Sequence, residues 1–122
     1  MKQILLAAAD WQFRALVRAQ LIEEGYEVTA VPGIEHALFL LIRRRIRPDL
    51  VIVDTVGQSV TPEHLADLRR LLDDTPALIC TGVYQRGAFD FTALGFPHIL
   101  VRPFRVGEVV RAVRQVIQEE KR

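Results

Sequence analysis

Three stretches of the chain, Ile4-Leu5-Leu6-Ala7-Ala8, Leu50-Val51-Ile52-Val53 and Ala77-Leu78-Ile79-Cys80, are nearly unbroken apolar runs. That pattern predicts parallel strands covered on both faces. Glu27-Val28-Thr29-Ala30-Val31 alternates more, and His98-Ile99-Leu100-Val101 is short and runs into Pro103. These two read as edge strands. Between the strands, apolar residues recur at helical spacing. Phe13, Leu16, Val17 and Leu21 define one face, with Asp10 placed to cap the helix and Gly25 to stop it. Ile34, Ala37, Leu38, Leu41 and Ile42 mark a second helix. Pro62 after Thr61 opens a third, carrying Leu65, Leu68, Leu71 and Leu72. Val106, Val109, Val110, Val113 and Ile117 define the last. The segment from Gln85 to Leu94 is expected to be short or irregular, because Gly87, Phe89 and Phe91 disfavour a long helix.

Alternating strands and helices with right-handed crossovers predict an α/β fold: a doubly wound five-stranded parallel sheet with five helices, forming a single domain over residues 1–122. Ligands meet such sheets at the carboxyl ends of the strands. The residues there are Ala9-Asp10, Asp54-Thr55, Thr81-Gly82 and Arg102-Pro103. An acid, a hydroxyl and a base converge on one edge.

Composition narrows the function classes. The 122 residues are 50% hydrophobic and carry a net charge of +1, which suits one globular domain and gives no general electrostatic reason to hold nucleic acid or an anionic membrane. Neither partner is expected. No apolar run approaches the roughly 20 residues of a membrane span, and the stretch Ile4 to Ala9 has no cleavage pattern. The single cysteine, Cys80, excludes an internal disulfide framework, so a cytoplasmic location is expected. His36, His64 and His98 lie on three different elements without metal-ligand spacing. The absence of a GxSxG elbow, a P-loop or a GxGxxG turn argues against an independent enzyme.

The stretches Lys2-Gln3-Ile4-Leu5-Leu6, Ile22-Glu23-Glu24-Gly25-Tyr26-Glu27-Val28, Arg47-Pro48-Asp49-Leu50-Val51-Ile52-Val53-Asp54 and Val101-Arg102-Pro103-Phe104 occur in order along the chain. In this combination the sequence resembles the receiver domain of bacterial two-component response regulators, over essentially its whole length. The resemblance implies a flavodoxin-like receiver fold with strand order 2-1-3-4-5. It also implies a chemistry: magnesium held by an acidic pair after the first strand, an aspartate after the third that accepts phosphate, a hydroxyl after the fourth and a lysine after the fifth. Asp54 falls on the phosphoacceptor position, and Thr81 on the hydroxyl position that senses phosphate.

Four positions depart from that pattern, as does the run Thr55-Val56-Gly57-Gln58-Ser59-Val60 after Asp54, where the family often has Met-Pro-Gly. The acidic pair aligns with Ala8 and Ala9, whose side chains offer no ligand atom; Asp10 lies one residue late. The lysine position holds Arg102, which can form a bidentate pair with Asp54 in the space of a metal or phosphate. Ile99 occupies the switch position, where the family's aromatic ring couples phosphorylation to the surface of helix four, strand five and helix five. These departures imply an atypical, or pseudo-, receiver that acts by protein–protein interaction, with another signalling protein or a second copy of itself on that surface. Magnesium binding, by Asp54 and at most Asp10, is expected to be weak, so no cofactor is assigned. The alternative is a working phosphoacceptor, phosphorylated on Asp54 by a histidine kinase or a small phosphodonor. A flavodoxin-type cofactor carrier is disfavoured, because Ala7-Ala8-Ala9-Asp10-Trp11 lacks donors to cradle a phosphate.

Structural explanations compete at several of these residues. Asp54 fits a strand-end carboxylate paired with Arg102, and Asp10 a helix cap. The arginines Arg43, Arg44, Arg45 and Arg47 fit a helix C-terminus whose dipole they complement. Phe89, Phe91, Phe96 and Phe104 are mostly expected in the core, one or two exposed ones marking a binding patch.

Overall fold

A computed structural model describes residues 1–120. The elements follow in strict alternation: β1 (Gln3–Ala7), α1 (Trp11–Glu23), β2 (Glu27–Val31), α2 (Ile34–Ile42), β3 (Leu50–Asp54), α3 (Pro62–Leu72), β4 (Ala77–Thr81), α4 (Val83–Ala88), β5 (His98–Val101) and α5 (Val106–Glu120). The five strands form one parallel sheet in the order β2-β1-β3-β4-β5. The alternating strand and the Pro-terminated strand are its two edges, as their patterns predict.

Strand period explains the two cores. Ile4, Leu6, Ile52, Leu78 and Cys80 face one side, where α1 and α5 pack with Val17, Leu21 and Val113. Leu5, Val51, Val53 and Ile79 face the other, under α2 and α3 with Ile34, Leu65 and Leu68. Burial of each such side chain contributes roughly 1.5–3 kcal/mol. Because both faces are covered, β3 and β4 are buried at all positions, which is why their sequences are apolar without alternation.

Two expected core residues are exposed. Leu16 and Ile42 both lie on solvent-facing flanks. At about 100° per residue, Leu16 sits roughly 100° from the centre of the stripe formed by Phe13, Val17 and Leu21. Ile42 is similarly rotated away from Ile34, Ala37 and Leu38, and it ends its helix. Val116, which the spacing of the last helix did not include, is buried on α5. The fourth crossover is short, as expected: α4 has six residues, none of them buried.

Helix ends are set by local chemistry. Asp10 caps α1, its side chain accepting from the N–H groups of Gln12 at 2.9 Å and Phe13 at 3.4 Å. Thr61 and His64 form a reciprocal cap on α3, with His64 Nδ1 accepting from Thr61 N–H at 3.1 Å and Thr61 Oγ1 accepting from His64 N–H at 3.1 Å. The C-termini of α1 and α2 share one bonding pattern. In α1 the N–H of Gly25 donates to Ile22 and that of Tyr26 to Leu21; in α2 the N–H of Arg44 donates to Leu41 and that of Arg45 to Leu40. This closing turn needs a left-handed residue at its centre. Gly25 supplies it with φ 95°, and Arg44 adopts it with φ 53°.

A left-handed arginine costs roughly 1–2 kcal/mol, partly balanced by the roughly 0.4–1 kcal/mol of unfolded-chain entropy that glycine would add. Arg44→Gly is therefore expected to stabilise the fold by about 1 kcal/mol, read as a higher urea midpoint at unchanged slope. A midpoint that falls would contradict this reading of the turn.

Candidate functional site

The sheet register brings three strand ends together. Asp54 ends β3 opposite Cys80, and Thr81 ends β4 opposite Val101, which precedes Arg102. Arg102 N–H continues the ladder to the Thr81 carbonyl at 2.9 Å, and the Arg102–Pro103 peptide bond is cis.

The Arg102 side chain turns onto Asp54. Its Nη1 donates to Oδ1 and its Nη2 to Oδ2, both at 2.8 Å. The sequence reading expects this contact, but its surroundings are drier than those of a surface pair. The Asp54 side chain is 0% exposed and that of Arg102 30% exposed. The Val56 N–H, 3.2 Å away, also donates to Oδ1. Above the fork, the guanidinium lies over the rings of Phe13, 5.1 Å from its centroid, and Phe104, 4.9 Å from its centroid. The two rings are 6.0 Å apart and tilted by 59°. Phe13, legible in the sequence only as a core residue, thus also supports Arg102 through its electron-rich face.

The loop after β1 is occupied by a second cation. Arg14 Nη1 donates to the Ala8 carbonyl at 2.7 Å and the Ala9 carbonyl at 3.5 Å. Ala8 is buried in the core cluster under α1, while Ala9 faces the loop after β3, within 3.4 Å of where a side chain on Gly57 would begin. Gly57 has φ 80°. Its turn delivers Gln58, whose Nε2 donates to the Asp54 carbonyl at 2.6 Å and whose Oε1 accepts from the Ile34 N–H at 2.9 Å. A side chain on Gly33 would meet that oxygen at 2.8 Å. Gln58 was not singled out from the sequence. Nothing in its composition signals that it bridges β3 to the start of α2.

The side chains of the remaining candidates make no hydrogen bond to the fork among the described residues. Thr81 Oγ1 is hydrogen-bonded to Thr55 Oγ1 at 2.7 Å, both residues being buried. Asp10 is engaged as the α1 cap. Ile99 is half-buried against the α2 and α3 side of the sheet, beside an open hollow of about 370 Å³ lined by Arg86, Phe89 and Phe91. Phe91 and Phe96 are buried; Phe89 and Phe104 are half-buried. The exposed apolar side chains of this region are instead Val83 and Tyr84 on α4, Tyr84 at 92%. Among the described residues, no three of His, Cys, Asp and Glu gather as a metal-holding cluster.

Cys80 lies buried next to this site. Burial first, then the Asp54 charge, push its thiol up to about 12, against a smaller opposing pull from Arg102. The protonated thiol is thus favoured in the fold, and stability is expected to fall as pH rises above about 9, where the unfolded thiol ionises and the native one does not. At pH 8 a thiol reagent should label Cys80 only after unfolding; rapid labelling of the native protein would contradict its burial.

No family model matches the sequence, and no curated protein matches it. Solved structures do. The CheY-like response regulator receiver domain protein of Methanospirillum hungatei superposes with a TM-score of 0.85 at 18% identity, over 99% of this chain and 97% of that one. The receiver domain of the Francisella response regulator 1452 gives 0.79 at 19% identity, covering 100% of both chains. Chemotaxis response regulator CheY4 of Vibrio cholerae gives 0.79 at 23% identity, over 95% of this chain and 98% of that one. The fold is therefore that of response-regulator receiver domains.

Proposed function

We propose that this chain is a receiver-type signalling module that acts by protein–protein contact and has exchanged the phosphate site of its fold for an internal ion pair. The observation that carries the reading is the two-pronged bond from Arg102 to Asp54. A guanidinium keeps its charge at any physiological pH and matches a carboxylate with two parallel bonds. A magnesium ion or phosphoryl group reaching Asp54 has to displace it from both oxygens and from the two phenylalanine rings.

The donor set does not fit magnesium. Magnesium demands near-ideal octahedral oxygen coordination and dehydrates reluctantly. Ala8 and Ala9 supply no side-chain oxygen, and Arg14 donates to both of their backbone carbonyls. Ile99 bears no ring to report on Thr81, whose hydroxyl is already paired with Thr55. Output that depended on phosphate would need both defects repaired. The proposed contact surface is α4, β5 and α5, where α4 offers Val83 and Tyr84 to a partner or to a second copy.

A magnesium titration tests this reading. Trp11 begins α1 next to the loop after β1 and is 66% exposed, so its fluorescence should report a cation at the site. No saturable change is expected below about 10 mM, given the single carboxylate. A response saturating in the low-millimolar range or below would favour the alternative, a phosphoacceptor working through Asp54 and Thr81.

A further inference from the structure

The loop after α2, toward the opposite edge of the sheet, carries a cluster of positive charge. Arg43, Arg44, Arg45 and Arg47 are exposed, and none takes part in an ion pair among the described residues. The helix dipole accounts for little of this cluster. The last turn of α2 has no basic residue, Arg43 is its C-cap, and the other three lie beyond it, where the dipole field fades. Arg43 rests over the Phe39 ring at 5.1 Å, a residue itself exposed beside Ile42.

Arg44 is the second, independent observation. It holds the left-handed position of a turn that α1 closes with Gly25. No side-chain hydrogen bond or ion pair of Arg44 among the described residues offsets that strain. Backbone strain of this kind clusters at functional sites.

Two hollows, of about 660 and 590 Å³, flank the 44–47 loop and share Arg44, Ile46 and Arg47 as their dividing wall. Val28 and Leu40 line the first, beside Glu27 and Gln3, and Leu41 and Leu71 line the second. The surface therefore combines guanidinium forks with apolar walls.

We propose that this loop and its two hollows dock a segment of a partner protein that carries Asp or Glu beside leucine or phenylalanine side chains. Carboxylates satisfy the forks bidentately, and the apolar side chains move out of water into the hollows. A nucleic acid would use the arginines alone, and the net charge of +1 gives it no wider positive field to follow. This surface lies away from Asp54, so the proposal is independent of the state of that site.

The test uses a fluorescein-labelled peptide repeating Asp-Leu-Glu-Phe, its charge-reversed counterpart repeating Lys-Leu-Arg-Phe, a single-stranded oligonucleotide and phosphatidylglycerol vesicles, with the full chain. Saturable anisotropy is expected for the acidic peptide, with NMR shift changes centred on residues 39–47. The double variant Arg44→Gly, Arg47→Ser should weaken binding by about tenfold or more, as loss of charge-assisted bonds implies. Arg44→Gly alone should weaken it while raising the melting temperature, which separates lost docking from lost folding. Absence of binding even at millimolar peptide, equal binding of the charge-reversed peptide, tighter binding of the oligonucleotide or vesicles, or unchanged affinity of the double variant would each overturn the proposal.

Discussion

Arg102→Ala is expected to destabilise the fold by about 3 kcal/mol, the lower end of the range for removing one partner of a buried pair. Its cause is the carboxylate left behind. Asp54 has no exposed side-chain surface, and after truncation it keeps only the Val56 N–H at 3.2 Å. The partial exposure of Arg102 lets some water enter, which sets the estimate at the lower end. Asp54→Asn combined with Arg102→Met should lie nearer wild type than Arg102→Ala alone, because neither charge remains to be satisfied. A double-mutant cycle by urea denaturation over Asp54→Asn, Arg102→Met and their combination isolates the coupling. A loss below about 1 kcal/mol, the range of exposed pairs, would mean that the fork is not held in solution.

The second large effect is a gain. Ala9→Asp with Arg102→Lys should confer a saturable magnesium response that is not expected of the wild type, strengthening binding by roughly tenfold or more for the added carboxylate and the vacated Asp54 oxygens. The structure selects Ala9 over Ala8 for this change. Ala8 is packed in the core under α1, where a new carboxylate would be costly, whereas Ala9 is half-buried outside that cluster, beside the Gly57 turn. Lysine keeps one positive charge without the two-pronged grip. Trp11 fluorescence checks the outcome. A variant that stays folded and as silent as wild type would show that the missing acid and the arginine are not what disfavours the metal.

How far these arguments could be reached from sequence depended on the kind of signal. The strands of the sheet interior were legible because covered parallel strands need continuous apolar runs, as Leu50 to Val53 show. Helix ends were legible because Asp10, Pro62 and Gly25 act locally, within a turn of their own position. Long-range roles were not. Gln58 bridges to Ile34 across 24 positions. The Asp54 and Arg102 pairing was foreseen from the resemblance. Its burial, and the two rings behind the guanidinium, depend on packing that brings Phe13 and Phe104 to one point. Leu16 and Ile42 were misassigned to the core because helical spacing gives the apolar stripe but not its edge, which depends on the neighbouring elements. Nor could spacing reveal the left-handed Arg44, since the arginine run reads equally well as a solvated helix end.

Intact mass after incubation with magnesium and acetyl phosphate tests the proposed exchange of a phosphate site for an ion pair most directly. The wild-type chain is expected to show no added phosphoryl group, under conditions in which a known receiver domain run in parallel acquires one. A labile gain of one phosphoryl mass on the wild type, abolished in a folded Asp54→Asn variant, would contradict it and establish Asp54 as a working phosphoacceptor.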